Sequence, residues 1–192
     1  MKLHLLFSVA TLCVITGCSG DSTLHDLLPN ARNRATPLSF GVHVTPDPAT
    51  NPIDPPERFS GYHAAVDYEV SAGELEGDVP VYAICSGKVR FSGYAEGYGG
   101  LLVHDCRIEG QRVTVLYGHL DRSNLPKEGK RVRGGQIIAL LADANSHNSG
   151  HTRKHLHLGI HKGKNLDIRG YVQSETKLEQ FIDPETVLPS FT

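Results

Sequence analysis

Between residues 79 and 161 the chain is cut into short apolar runs, and their shortness is what most limits the fold. Residues 79–85, 87–94, 101–107, 111–117, 136–142 and 155–161 are each rich in Val, Ile, Leu and Tyr. Breaks containing Gly, Pro or Asp separate them, so each reads as a strand. Glu109-Gly110, between the third and fourth runs, is a hairpin signal. Only residues 176–182 look helical. The predicted fold class is mostly β, an antiparallel sheet domain around a single core. The roughly 130 residues that follow Phe59 are enough to bury one.

Upstream, residues 45–56 hold five prolines in twelve positions. Such a segment is neither a helix nor a central strand, and it predicts an extended linker or a strap over the domain. The folded unit is expected to span 59–192, with 18–58 as linker.

The first residues read as an address. Met1-Lys2 supplies a positive start, and residues 5–15 are largely apolar but too short to span a bilayer permanently, as in a secretory signal. Ile15-Thr16-Gly17-Cys18 resembles the lipobox of bacterial lipoproteins. That resemblance implies removal of residues 1–17, acylation of Cys18 and a membrane partner reached through the lipid anchor. Ser19, rather than an aspartate, follows the cysteine, which in a two-membrane host implies the periplasmic face of the outer membrane. An ordinary signal peptide with a chance cysteine is the other reading. Loss of residues 1–17 removes one lysine and no acid, leaving 18 basic against 21 acidic side chains. That balance lacks the overall basic footprint of a nucleic-acid binder. Cys13 leaves with the signal and Cys18 takes the lipid, so Cys85 and Cys106 remain. An even pair in an exported protein reads as a disulfide, with two buried free thiols as the alternative.

Three short motifs carry chemistry. His63 and Asp67 stand four apart, Tyr117-Gly118-His119 closes one strand run, and His155-Leu156-His157 lies inside another. In a strand, positions i and i+2 share a face, so His155 and His157 emerge together. Paired imidazoles suit a site where one holds a metal and the other handles protons. A catalytic zinc takes three protein ligands and leaves a fourth position open. His63, Asp67 and one histidine of the pair meet that count, leaving the other and His119 for proton transfer and oxyanion stabilisation.

The order His-x-x-x-Asp, Tyr-x-His-Leu, His-Leu-His resembles the LytM/lysostaphin-type zinc endopeptidases, peptidase family M23. The stretches 81–89, 97–104, 132–138 and 181–184 resemble that family's intervening segments. The resemblance implies a duplicated-hybrid-motif-like β-sandwich, one Zn2+ per chain held by His63, Asp67 and His157, and His119 and His155 as catalytic histidines. It also implies peptidoglycan as partner, with stem peptides or cross-links as substrate. A non-catalytic wall-binding or hydrolase-activating module is the second reading, since such relatives lack motif residues that are all present here. The bond cleaved and the oligomeric state are not legible. Tyr117 is expected either beside the site or in the core. Two departures stand out: Ala64-Ala65 replaces glycine in the first motif, and residues 142–154 replace a Gly-rich turn before the last. Within that segment His147 and His151 are candidates for a second metal, for groove lining or for a solvated loop. His43, His104 and His161 belong to no motif and are expected to be structural or exposed. Some relatives of the family are blocked by an asparagine in the fourth zinc position, and Asn51 is one candidate for such a latch here.

Overall fold

The run that holds two of the motif histidines becomes a strand, His155–Lys162, whose alternation sorts its side chains. Leu156, Leu158 and Ile160 enter the main core, while His155, His157 and His161 lie on the opposite face. The structure, a computed structural model, describes residues 23–188. The signal segment 1–17 and Cys18 lie outside the described residues.

The strands are β1 (His43–Val44), β2 (Gly61–His63), β3 (Val66–Glu69), β4 (Pro80–Tyr82), β5 (Gly87–Ala95) and β6 (Gly99–Ile108). They continue with β7 (Gln111–Gly118), β8 (Arg131–Val132), β9 (Ile137–Leu140), β10 (His155–Lys162), β11 (Tyr171–Val172) and β12 (Phe181–Ile182). Seven of them form one antiparallel sheet in the order β12-β10-β7-β6-β5-β8, with β3 also pairing β10. A β1-β2-β11 sheet and a β4-β9 pair complete the architecture. The fold is therefore mostly β and antiparallel, as the sequence predicts. Val81 of β4 and Ile138 of β9 share a core with Leu102, Tyr117, Leu156 and Leu158 of the large sheet. On the other face, Leu101 and Val103 of β6 pack with Leu116 and Tyr98. Burial on both faces is why β6 reads as a near-continuous apolar run.

The hairpin expected at Glu109-Gly110 joins β6 to β7, with both residues at positive φ (49° and 75°). That backbone twist matches the strands it connects. Residues 176–182 are shorter in helix than expected: α1 (Glu175–Leu178) is one turn, capped by Ser174, before the chain extends into β12. Cys85 and Cys106 are joined by a disulfide, their Cα atoms 6.1 Å apart.

The folded unit begins well before Phe59. Leu27, Leu28, Leu38 and Val44 are at most 1 % exposed. The segment also pairs along the first motif: the Asp67 N–H donates to Leu38 O at 3.0 Å and the Glu69 N–H to Ala35 O at 3.0 Å. Arg34 fastens it further, donating to Glu69 O at 3.0 Å and to both carboxylate oxygens of Glu74. Without a clear period the segment resembles linker, yet its isolated leucines fill gaps in a core that the strands alone leave open.

Tyr117 is in the core, not at the site. Its hydroxyl accepts from the Ile84 N–H at 2.9 Å and lies 3.1 Å from His104 Nε2. Burial holds the His104 imidazole down at about 4, against the opposing contacts of Asp105.

Leu28→Ala should cost about 2–5 kcal/mol, measured by urea unfolding of the mature chain; a loss under ~0.5 kcal/mol would show that this segment is not part of the core. His104 supplies a pH test. Its folded value lies below the unfolded 6.5, so the unfolded chain takes the proton first as pH falls. Stability is then intact above pH 6.5 and lost on the way to pH 4. Wild type should lose about 3 kcal/mol more than His104→Phe across that window in chelator.

Candidate metal centre

Sheet register assembles the site. In β10 His157 pairs directly with Asp67 of β3 on one side and with Gly118 of β7 on the other. Cross-strand partners share a face, so the Asp67 carboxylate and the His157 ring meet by construction. His157 Nδ1 lies 3.0 Å from Asp67 Oδ1. His63, closing β2, brings its Nε2 to within 3.2 Å of His157 Nδ1 and 3.3 Å of Asp67 Oδ1. His63, Asp67 and His157 are all buried, and they are the one three-residue group with metal-ligating geometry among the described residues.

The donor set fits a divalent transition ion. His63 Nδ1 lies 3.1 Å from Leu38 O, so its proton is donated there and Nε2 presents a bare lone pair to the site. Two imidazole nitrogens and a carboxylate oxygen thus converge on one point, the donor set of a divalent cation. Burial would raise the Asp67 carboxyl, but His155 and His63, with hydrogen bonds from His155 and His157, hold it well below the usual carboxylate range. Burial lowers His157 to about 4 against the pull of Asp67, so it is a free base at neutral pH.

Asp67 divides its two oxygens. While Oδ1 faces His63 and His157, Oδ2 meets Arg153 Nη2 at 2.8 Å and His155 Nε2 at 3.2 Å. Arg153 also donates from Nε to Glu69 Oε1 at 2.8 Å and approaches Glu57 Oε2 at 3.8 Å. The guanidinium fork therefore holds one carboxylate oxygen aside and leaves the other for a metal.

His119 and His155 stand next to each other, ring centroids 4.3 Å apart. His119 follows the end of β7 at φ 62°, a left-handed turn that non-glycine residues rarely adopt. It is held there by the Ala142 N–H, which donates to His119 O at 2.9 Å. His119 Nδ1 donates to Ser149 O at 2.8 Å, leaving Nε2 without a proton. Burial first, then His155 and His157, push His119 well below the usual histidine range. His155 Nδ1 lies 3.0 Å from Arg153 O, so its other nitrogen is the one beside Asp67.

Aromatic walls fix these rings. Tyr98 sets its ring edge-on to His157 at 5.2 Å and donates its hydroxyl to Ile168 O at 2.8 Å. A Cβ at Gly118 would lie 2.6 Å from Tyr98 Cδ1, so only glycine lets that ring sit against the strand. Tyr171 covers His63 at 5.1 Å and is backed by Phe59 at 5.6 Å. With Glu57, Arg58, Glu96, Thr152 and Arg169, these residues line a cleft of about 400 Å3.

Asp67, His119, His155 and His157 thus line one cleft, and His63 lies buried beside Asp67 and His157 under Tyr171. Tyr98, Ser149, Arg153 and Tyr171 were not singled out from sequence, because each acts through a partner distant in the chain. Tyr98 carried some signal, lying between Gly97 and Gly99-Gly100. Asn51 is not at the metal site. Its amide donates to Thr45 O and Glu57 O, and its Oδ1 accepts from the Ile53 N–H, so the side chain is consumed by its own turn. His147 stacks on Tyr94 at 4.5 Å and its Nδ1 lies 3.1 Å from Arg122 Nη2, while the His151 ring lies 6.1 Å from it. The pair shapes the loop and does not complete a second three-ligand group among the described residues.

A family profile described as Peptidase family M23 matches residues 61–168. Among solved structures, Csd3 of Helicobacter pylori is 20 % identical with a TM-score of 0.52, covering 89 % of this chain and 36 % of its own. The chain thus spans about a third of that protein's length. LytU is 26 % identical with a TM-score of 0.49, over 82 % of this chain and 94 % of its own. A peptidase described as putative M23 from Pseudomonas aeruginosa is 20 % identical with a TM-score of 0.45, over 86 % and 54 %. No curated protein matches the sequence.

Arg153→Gln should weaken zinc affinity by about 10–100-fold with the fold intact, because Asp67 Oδ2 is released. Competition with a chromophoric chelator measures it; unchanged affinity would remove Arg153 from the site's support.

Proposed function

The chain belongs to peptidase family M23, and on that premise we propose that it is a zinc metalloendopeptidase hydrolysing stem peptides or cross-links of bacterial peptidoglycan. The observation that carries this is the convergence of His63 Nε2, Asp67 Oδ1 and His157 Nδ1 within 3.0–3.3 Å of one another, beside the His119–His155 pair. The lipobox-like Ile15-Thr16-Gly17-Cys18 supports an envelope lipoprotein, held by acylated Cys18 on the periplasmic face of the outer membrane.

His63, Asp67 and His157 are the residues that hold the ion. When bound, the ion supplies Lewis-acid chemistry, polarising a carbonyl and acidifying a water. The two remaining histidines divide the proton work by their hydrogen bonds. His119, with Nδ1 committed to Ser149 O, has a bare Nε2 and is the proton acceptor. His155, its ring held by Arg153 O at Nδ1, turns Nε2 toward Asp67 Oδ2 beside the ion site and takes the part of oxyanion partner. Tyr98 stays a neutral phenol, since burial and the nearby Asp67 push its ionisation up. Its ring and that of Tyr171 keep the imidazoles from rotating.

Purified residues 19–192 should bind one zinc and release peptides from sacculi. His157→Ala should abolish both, whereas His119→Ala should keep the zinc and lose about 100-fold or more in rate. Zinc binding without release from any sacculus would favour the non-catalytic wall-binding module instead. Absence of zinc binding in wild type would overturn the metal reading itself.

A further inference from the structure

The large sheet ends, away from the cleft, in a basic groove. Lys88 and Arg90 of β5, Arg107 of β6, Arg112 of β7, Arg131 of β8 and Lys164 surround a depression of about 490 Å3. All six are exposed, and Asp105 is the single acid lining it. Arg90 already pairs with that acid at 2.8 Å. Lys88, Arg112, Arg131 and Lys164 make no ion pair with the described residues. In a chain of net charge −2 this is a concentration of one sign on one face, not a reflection of composition.

Its position is defined by two features. Along β6, Leu101 pairs with Gly118 next to the metal centre, and Arg107 lies six residues further on, about 20 Å at strand rise. The beginning of the described chain comes to the groove end. The His25 N–H donates to Ile84 O at 2.8 Å, and its ring lies so close to Gly134 that a Cβ there would fall 2.5 Å from Cδ2. The Gly134 N–H in turn donates to Ser86 Oγ at 2.9 Å, and Ser86 lines the groove. Five residue steps separate Cys18 from Thr23, a reach of roughly 17 Å at most.

We propose that this groove docks on anionic phospholipid headgroups of the membrane that carries the chain. The placement beside the anchor rests on the lipoprotein reading, while headgroup binding by the groove does not need the lipid. Guanidinium and ammonium groups match phosphate, and each basic side chain near an anionic surface strengthens binding about fivefold. A lipid anchor and a basic patch together fix an orientation that neither fixes alone. With the groove on the bilayer, the metal cleft stands about 20 Å away from it along the strands.

The test uses unlipidated residues 19–192 and vesicles of phosphatidylcholine with or without roughly 30 mol % phosphatidylglycerol as the anionic lipid. Wild type should sediment with anionic vesicles only, less so as salt rises from about 0.05 to 0.5 M. Lys88→Glu/Arg112→Glu/Lys164→Glu should lower the partition coefficient by at least about tenfold. It should leave zinc content and release from detergent-suspended sacculi unchanged, which separates this proposal from the hydrolase reading. If the reversed variant unfolds, Lys88→Gln/Arg112→Gln/Lys164→Gln gives the same reading through a smaller drop. Equal binding by wild type and the Gln variant would overturn the assignment to this groove. Failure to bind anionic vesicles at low salt, or preference for a soluble polyanion such as polyphosphate over vesicles, would overturn the lipid partner.

Discussion

The site depends on one row of residues laid across three strands. Asp67, His157 and Gly118 are opposite one another in β3, β10 and β7, and the row continues to Leu101 of β6. Side chains alternate along a strand, so a one-residue slip of β10 would turn both histidines into the core and Leu156 into the cleft. The burial of Leu156, Leu158 and Ile160 is therefore what keeps His155 and His157 facing the metal pocket. Hydrophobic energy, not any contact between the histidines, sets the register.

A second layer works on orientation. Leu38 O accepts both the Asp67 N–H and the His63 Nδ1 proton, so one carbonyl from the early segment positions two of the three candidate ligands. On the far side, Arg153 joins Asp67 to Glu69 and to Glu57 of the Pro-rich strap's end. The strap and the loop before β10 thus meet over the carboxylate they brace. Lys154, next in sequence, is buried and donates to Leu75 O at 3.2 Å and Gly77 O at 2.8 Å, tying that loop to the rest of the domain.

What could be read from sequence followed from periodicity and from short motifs. The six long runs became strands or held one, because alternation and turn residues are local properties. The five histidine and aspartate positions were legible because their order and spacing are distinctive. The early segment was not, since Leu27, Leu28 and Leu38 bury themselves without any repeat. Short strands such as β2, β8 and β11 were also missed, because two or three residues carry no period. Arg153 was invisible for a third reason: an arginine in a polar loop looks solvated until folding brings Glu57, Asp67 and Glu69 around it. Asn51 was misplaced because nothing in a proline-rich stretch tells whether an amide serves its own turn or a distant site.

The aromatic walls have an optical consequence. The chain contains no tryptophan, so its seven tyrosines dominate the ultraviolet emission. Two of these, Tyr98 and Tyr171, have ring centres 5.2 Å and 5.1 Å from the imidazoles of His157 and His63. A change of charge on those imidazoles falls directly on the neighbouring chromophores. An ion entering the candidate metal centre should therefore register in tyrosine emission, with no label and no reporter substitution.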